Sequence, residues 1–271
     1  SYAYLKRVSP ERQVSYSMQN EASLWADEID NQPTELGFTC HFGEEKTLRV
    51  RTSMNGIYNV SNCLAALGLC VNLLGVPAET AVRALASLPG VPGRMERIDL
   101  GQPFSAIVDF AHTPNALARA LETARGLTKG RLIAVFGSAG LRDREKRKMM
   151  PAVSVRLADL SFLTAEDPRT ESLDAILQDM ALAAVDAGGR EGENFWRVPD
   201  RGDAIRLALQ SARPGDLVIV CGKGHEQSMC FEKTEYAWDD RQAVRAALAE
   251  LLGVPGPQMP WLPTSKEKPG A

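Results

Sequence analysis

The amino-acid sequence predicts an α/β protein whose larger part is an open, mostly parallel sheet. Apolar runs such as Ile133–Phe136 and Val218–Val220 contain no polar residue, as is typical of strands that are buried on both faces. From residue 105 onward, such runs alternate with stretches that have the apolar spacing of helices. This alternation of strand and helix favours a parallel sheet covered by helices.

The elements of this larger part can be placed from their patterns. Strands are predicted at Ser105–Phe110, Arg131–Gly137, Asp159–Thr164, Asn194–Val198 and Asp216–Cys221. Helices are predicted from Pro114, over Lys146–Leu157, from Leu173 and from Arg201. A strand hairpin at Met229–Ala237 precedes a last helix, which Asp239 or Asp240 caps and which runs to Leu252.

The first part of the chain has a different pattern. Glu35–Phe42 and Lys46–Ser53 alternate polar and apolar residues and predict two strands of a small β-rich region. Asn59–Leu74 and Pro77–Leu88 have helical spacing. A Pro/Gly-rich break follows, which indicates a boundary between a domain at 1–92 and one at 93–253. The proline-rich residues 254–271 are expected to form a flexible tail.

Bulk composition excludes several classes of protein. The net charge is −3, so no basic surface for nucleic acid or for an anionic membrane is expected. The five cysteines form no C-x-x-C pair and the three histidines are dispersed, which predicts no structural zinc site and a reducing, cytoplasmic location. No apolar run approaches the roughly 18–20 residues that cross a bilayer.

Four polar loops follow predicted strands at residues 109–115, 137–143, 164–169 and 221–226. Ligands of open α/β sheets bind outside the carboxyl ends of the strands, so these loops are expected to form one site. Arg142 and Arg169 suit a carboxylate, and Glu226 suits an amine. An ordinary set of turns is the alternative interpretation.

Taken in order, the polar motifs resemble those of the MurE branch of the Mur ligases. The matching residues are Asn59-x-x-Asn62, Gly93-Arg94-Met95-Glu96, Asp109-x-Ala-His112-x-Pro114, Asp167-Pro-Arg169 and Gly222-Lys-Gly-His-Glu226. They extend over nearly the whole chain apart from the tail. The resemblance implies that 93–253 is the Rossmann-like C-terminal domain of a Mur ligase. It also implies that 1–92 is the end of the central ATPase domain.

The resemblance implies an ATP-dependent amide-bond ligase of peptidoglycan precursor synthesis in the bacterial cytoplasm. Such a ligase activates a carboxylate of UDP-N-acetylmuramoyl-L-Ala-D-Glu as an acyl phosphate, with ATP and Mg²⁺, and a diamino acid then attacks it. The implied nucleotide-binding residues are Asn59, Asn62, Arg94, Asp109 and His112. The implied amino-acid-binding residues are Arg142, Glu166, Asp167, Pro168, Arg169, Gly222 and Glu226. No catalytic residue and no metal ligand is expected in this chain.

The chain departs from the family pattern at several positions. Leu141 removes a carboxylate that many MurE proteins have, and Phe110 replaces the usual tyrosine. Glu166-Asp167 stands where diaminopimelate-adding members usually have Asp-Asn. A negative charge at Asp167 suits the terminal amine of lysine or ornithine, whereas Arg169 suits diaminopimelate, so all three amino acids remain candidates.

Two other functions are compatible with the sequence. One is a related ligase of the cyanophycin synthetase or folylpolyglutamate synthetase type, and the other is a non-catalytic binding module. The chain contains no G-x-x-x-x-G-K-[ST] motif. The family's phosphate-binding loop, most ligands of ATP and Mg²⁺ and the UDP-binding domain are therefore expected upstream, as partners of this chain.

We predict that these 271 residues alone do not turn over ATP, because the backbone N–H groups that cradle the phosphates in a P-loop are missing from the sequence. The measurement is phosphate release by the purified chain. A rate well above background, in a preparation free of contaminating ATPases, would contradict the prediction.

Overall fold

The computed structural model describes Arg7 and residues 13–19, 22–32, 35–44, 46–54 and 56–266 of the 271-residue chain. The chain divides into two compact units, Ser1–Val91 and Pro92–Ala271. The division lies one residue before the boundary that the Pro/Gly-rich break predicts. Each unit contains its own hydrophobic core.

The first unit is built on a four-stranded sheet. Its strands are β1 (Tyr16–Ser17), β2 (Leu24–Asn31), β3 (Leu36–Phe42) and β4 (Lys46–Thr52), in that order. β1 runs parallel to β2, and the other neighbours are antiparallel. β3 and β4 confirm the two strands expected from the alternating pattern, and their inward residues Phe38 and Val50 are completely buried.

The structure differs from the single helix that the sequence predicts over residues 59–74. α1 (Tyr58–Leu67) is α-helical, but Gly68–Leu73 is π-helical. The N–H of Leu74 donates to the carbonyl of Leu69, five residues earlier. A wider turn shifts the apolar pattern by about one residue, which a spacing of three and four does not reveal. α2 (Ala78–Ser87) follows as expected.

The second unit contains a six-stranded sheet that confirms the predicted α/β class. Along the chain its strands are β5 (Glu96–Ile98), β6 (Ser105–Asp109), β7 (Leu132–Phe136), β8 (Leu160–Leu163), β9 (Phe195–Arg197) and β10 (Leu217–Cys221). Their spatial order is β5-β6-β10-β7-β8-β9. Only β5 is antiparallel to its neighbour, so the sheet is open and mostly parallel. The expected hairpin is present as β11 (Ser228–Phe231) and β12 (Thr234–Ala237).

Helices cover both faces of this sheet. One face packs against α3 (Pro114–Gly126), α4 (Glu145–Leu157) and α5 (Leu173–Asp186), and the other against α6 (Arg201–Ser211) and α7 (Asp240–Leu252). Asp200 caps α6 and Asp239 caps α7, because each side chain accepts a hydrogen bond from a backbone N–H of the first turn. Among the described residues, none of the helices has the length and apolar character needed to span a membrane.

Residues 254–266 do not form the free tail that their composition predicts. Leu262 is completely buried in the core beneath α6 and α7. The hydroxyls of Thr264 and Ser265 both donate to Asp200 at 2.8 Å. Composition is misleading here because a proline-rich segment becomes ordered when an apolar anchor and side-chain hydrogen bonds tie it down. Residues 267–271 lie outside the described residues.

We predict that Leu262→Ala lowers the free energy of unfolding of the second unit by about 2–5 kcal/mol, because it leaves a cavity in a closed core. Denaturant unfolding followed by tryptophan fluorescence measures this change. Leu182→Ala removes an exposed leucine from α5 and is the control, with an expected change within about 0.5 kcal/mol. Equal effects of the two substitutions would mean that the segment is not anchored.

Candidate functional site

Four loops meet at one edge of the second unit's sheet. β6, β10, β7 and β8 are adjacent and parallel, so their carboxyl ends lie side by side. The loops that follow them enclose a cavity of about 290 Å³. Its lining residues are Phe110, His112, Ser138, Ala139, Arg142, Lys146, Glu166, Asp167, Arg169, Gly222 and Glu226. The sequence-based expectation of a single ligand-binding edge therefore corresponds to one cavity.

Most of the residues expected to bind the amino acid line this cavity, but Pro168 does not. Pro168 is buried, and its carbonyl packs so closely on Gly140 that a Cβ at residue 140 would collide with it. Pro168 therefore shapes the loop. Lys146, in the first turn of α4, also lines the cavity, which the motifs in the sequence do not predict. Its only sequence signal is a position just after the polar loop at 137–143.

Asp167 does not offer the free negative charge that the sequence suggests. Lys223 Nζ lies 3.0 and 3.1 Å from its two carboxylate oxygens, and the backbone N–H of Cys230 donates to Oδ1 at 2.9 Å. Lys223 also contacts Glu226 at 2.7 Å, and its side chain is only 3% exposed. Although burial opposes it, these two acids raise the pKa of Lys223 and keep the lysine charged. Lys223 therefore offsets part of the negative charge of Asp167, and the attraction of this acid for a terminal amine stays a prediction.

The loop from Glu166 to Arg169 is held in a strained backbone conformation. Asp167 and Arg169 have φ values of 42° and 53°, a left-handed region that side chains with a Cβ seldom adopt. The N–H of Arg169 donates to the carbonyl of Cys230 at 3.1 Å, and Arg169 Nη1 donates to the carbonyl of Gly140 at 2.9 Å. Such strain persists only where neighbouring contacts fix it, and it is concentrated at functional sites.

Glu166 is the most deeply buried acid of the cavity, at 7% exposure. Its Oε2 has no hydrogen-bond partner among the described residues. Gly137 and Gly222 leave room for the side chain, because a Cβ at either position would collide with it. Burial raises the pKa of Glu166 to about 7, although Arg201 and Lys223 act in the opposite direction. The site therefore contains a carboxyl group that changes charge near neutral pH.

Of the residues expected to contact a nucleotide, His112 lines the cavity, and Asp109 and Arg94 lie beside it. Both carboxylate oxygens of Asp109 are used, because they accept the N–H groups of Met95 and Ala111 at 2.8 and 2.9 Å. Asp109 therefore positions the segments that carry Arg94 and His112. The Arg94 guanidinium lies 4.5 Å from the centre of the Phe110 ring and is exposed. His112 Nδ1 lies 3.0 Å from the carbonyl of Phe110, so it carries the proton and leaves Nε2 as an acceptor.

The remaining expected nucleotide residues belong to the first unit. Asn59 and Asn62 share one face of α1, as their spacing predicts, and Asn62 Nδ2 donates to Asn59 Oδ1 at 2.8 Å. Their role in binding adenine stays a prediction. The part of the chain that the structure describes contains no group of three His, Cys, Asp or Glu side chains that could hold a metal ion.

The fold and the cavity define a two-unit α/β protein whose candidate ligand site, at the edge of a mostly parallel sheet, is lined by both acidic and basic side chains. The family model of the Mur ligase middle domain matches residues 2–70, and that of the Mur ligase glutamate ligase domain matches residues 93–224. The chain belongs to the Mur ligase family.

Individual relatives agree with this assignment. The chain is 44% identical over 247 residues to a UDP-N-acetylmuramyl-tripeptide synthetase of Roseiflexus sp. (strain RS-1), covering 90% of this chain and 47% of that protein. It is 41% identical over 249 residues to a UDP-N-acetylmuramoyl-L-alanyl-D-glutamate–2,6-diaminopimelate ligase of Nostoc sp., covering 91% and 49%. A solved structure of a ligase with the latter name matches with a TM-score of 0.63 and 30% identity, covering 93% and 50%. The chain spans about half the length of the curated relatives that it matches.

We predict that Glu166 makes the protein less stable as pH rises from about 4.5 to about 7. In this window the folded protein keeps Glu166 protonated and the unfolded chain ionises it, so unfolding releases a proton. The free energy of unfolding should fall by about 3 kcal/mol from this group alone. Urea unfolding across this pH range measures the slope, which Glu166→Gln should reduce. Glu193→Gln, at an exposed position, is the control, and a slope equally reduced by both would contradict the assignment.

Proposed function

We propose that this chain is the amino-acid-binding and nucleotide-closing half of an ATP-dependent ligase of the MurE type. The complete enzyme would join a diamino acid to UDP-N-acetylmuramoyl-L-Ala-D-Glu. The observation that carries the proposal is the convergence of Arg142, Arg169, Glu166 and Glu226 on one cavity. Facing acids and bases suit a ligand that has both ammonium and carboxylate groups. The names of the relatives support the same reaction.

In this function, the chain binds and orients the attacking amino acid. When bound, ATP supplies the phosphoryl group that activates the substrate carboxylate. Glu166, whose Oε2 has no hydrogen-bond partner among the described residues, would hold an ammonium group, and Arg142 and Arg169 would pair with carboxylates. Glu226 lines the same cavity but already contacts Lys223. Fixing the amino acid at several points orients its reacting amine and removes much of the entropic part of the barrier.

The residues beside the cavity fit a nucleotide phosphate. Arg94 forms no ion pair within 4 Å among the described residues, although its charge partly offsets the rise that burial causes in the pKa of Asp109. Its guanidinium is exposed and lies near His112 on the shared Phe110 ring. A planar guanidinium suits bidentate pairing with a phosphate. Asp109 would hold Arg94 and His112 in place through its bonds to Met95 and Ala111.

Among the diamino acids, we propose 2,6-diaminopimelate as the substrate. Four basic side chains surround the cavity against three acids: Arg142, Lys146, Arg169 and Lys223 against Glu166, Asp167 and Glu226. Arg142 and Lys146 have no ion-pair partner in the described part of the chain, whereas Asp167 and Glu226 share Lys223. Diaminopimelate carries one more carboxylate than lysine or ornithine and so matches the surplus positive charge.

We predict that the chain binds diaminopimelate more tightly than lysine or ornithine in calorimetric titration. Lys146→Met should weaken the binding of diaminopimelate about tenfold, which is the loss expected for one charge-assisted hydrogen bond. The same substitution should weaken the binding of lysine less. Lys148→Met is the matched control, because Lys148 lies on the same helix and, in the described part of the chain, pairs only with Glu145 at the surface. Tighter binding of lysine, or equal effects of the two substitutions, would overturn the choice of substrate.

A further inference from the structure

A completely buried ion pair lies behind the cavity. Arg201 begins α6 and Asp240 begins α7, and both side chains are inaccessible to solvent. Arg201 Nε and Nη2 donate to the two oxygens of Asp240 at 2.8 and 2.7 Å. Trp238 Nε1 also donates to Asp240, at 2.8 Å. Apolar residues of similar volume often replace such a pair without loss of stability, so a contribution to folding does not by itself explain it.

The same guanidinium reaches the carboxyl ends of two strands. Nη1 of Arg201 donates to the carbonyl of Ala165 at 3.1 Å, and Nη2 donates to the carbonyl of Cys221 at 2.8 Å. These residues come directly before Glu166 and Gly222, which line the cavity. β8 and β10 are not neighbours, because β7 lies between them. Ladder hydrogen bonds connect these two ends only indirectly, through β7, whereas Arg201 joins them directly.

We propose that Arg201 is a positioning residue for the amino-acid site. Asp240 orients the guanidinium of Arg201, which hydrogen-bonds to both the loop after β8 and the loop after β10. The first loop carries Glu166, and the second carries Gly222, Lys223 and Glu226. The inference rests on the proposed function, because it assigns Arg201 to the same site. The Lys223–Asp167 ion pair also joins these loops, but it lies at the cavity, whereas the Arg201 tie lies in the protein interior.

Arg201 also influences the charge of Glu166. Burial has the largest effect on the pKa of Glu166 and raises it. The charged groups that act on Glu166 are Arg201, Lys223, Asp167 and Asp240, and Arg201 has the largest influence among them. Arg201 lowers the pKa because a nearby positive charge favours the carboxylate. Without the buried pair, Glu166 would stay protonated to higher pH and would bind an ammonium group less well.

The double variant Arg201→Met/Asp240→Leu tests this role, because it removes both charges together and leaves neither one buried alone. The matched control is Arg206→Met/Glu250→Leu. That pair joins the same two helices through two hydrogen bonds of 2.6 and 3.0 Å, but it is partly exposed and does not line the cavity. Three quantities are compared: the unfolding midpoint, the pKa of Glu166 by carbon-13 NMR, and the dissociation constant of diaminopimelate.

We expect the double variant to unfold at about the same denaturant concentration as the control. Its Glu166 pKa should rise above that of the unsubstituted chain, and diaminopimelate should bind about tenfold more weakly or worse. The amide of Gly222, which donates to the carbonyl of Asp109 at 3.2 Å, should exchange faster with solvent. A double variant whose Glu166 pKa and Gly222 exchange match those of the control would overturn the proposal.

Two ligand-free measurements and a second variant can decide the role of Arg201 even if diaminopimelate does not bind or the double variant does not fold. The NMR titration and the amide exchange need no ligand. A chain that binds neither diaminopimelate nor lysine nor ornithine would contradict the proposed function, and these two measurements would still decide the role of Arg201. If the double variant does not fold, Arg201→Lys replaces it. Lysine keeps the charge but lacks the planar fork, so it cannot bond Asp240 and both carbonyls together. Unchanged amide exchange at Gly222 in Arg201→Lys would overturn the proposal.

Discussion

The position of β10 between β6 and β7 is the constraint on which the whole site depends. The chain adds β7, β8 and β9 on one side of β6 and then returns to insert β10 next to β6. Cys221 pairs with Asp109 in register, so the loops after β10 and β6 start at the same level of the sheet. Residues more than 100 positions apart thereby become neighbours, and the Phe110 and His225 rings lie 4.8 Å apart. This strand order is a topological switch point, where open α/β sheets bind their ligands.

Two buried cations, a lysine and an arginine, hold the groups around the cavity in different ways. Lys223 is buried and compact, and it bridges Asp167 and Glu226 as a point charge. Arg201 is also buried, but its planar fork serves two backbone carbonyls and both oxygens of Asp240. The exchange of either residue for the other would not be conservative. Arg142 and Lys146 remain available to a ligand because Lys223 pairs with Asp167 and Glu226, and Arg201 pairs with Asp240.

The sequence predicts those features of this protein that depend on local pattern. Val218–Val220 is apolar without interruption because both faces of β10 are covered, and the loop after it carries Gly222 and Glu226 as expected. Features that depend on pairing at a distance could not be predicted. The sequence around Asp167 does not predict its ion pair with Lys223, because the two residues are 56 positions apart. From the sequence, Arg201 is expected to be the exposed first residue of a surface helix. The burial of Leu262 could not be predicted for the same reason, because the residues that bury it lie on α6 and α7.

The start of the second unit packs against the loop after β10 through a close approach of two glycines. Gly93 and Gly224 have φ values of 65° and 54°, which favour glycine. A Cβ at Gly93 would collide with the backbone of Gly224 and His225, and a Cβ at Gly224 would collide with Phe110. The position of the first residues of this unit is thus fixed by their contact with the loop that carries Lys223 and Glu226. A displacement of this loop would therefore also move the first residues of the second unit, because closely packed backbone atoms cannot move independently.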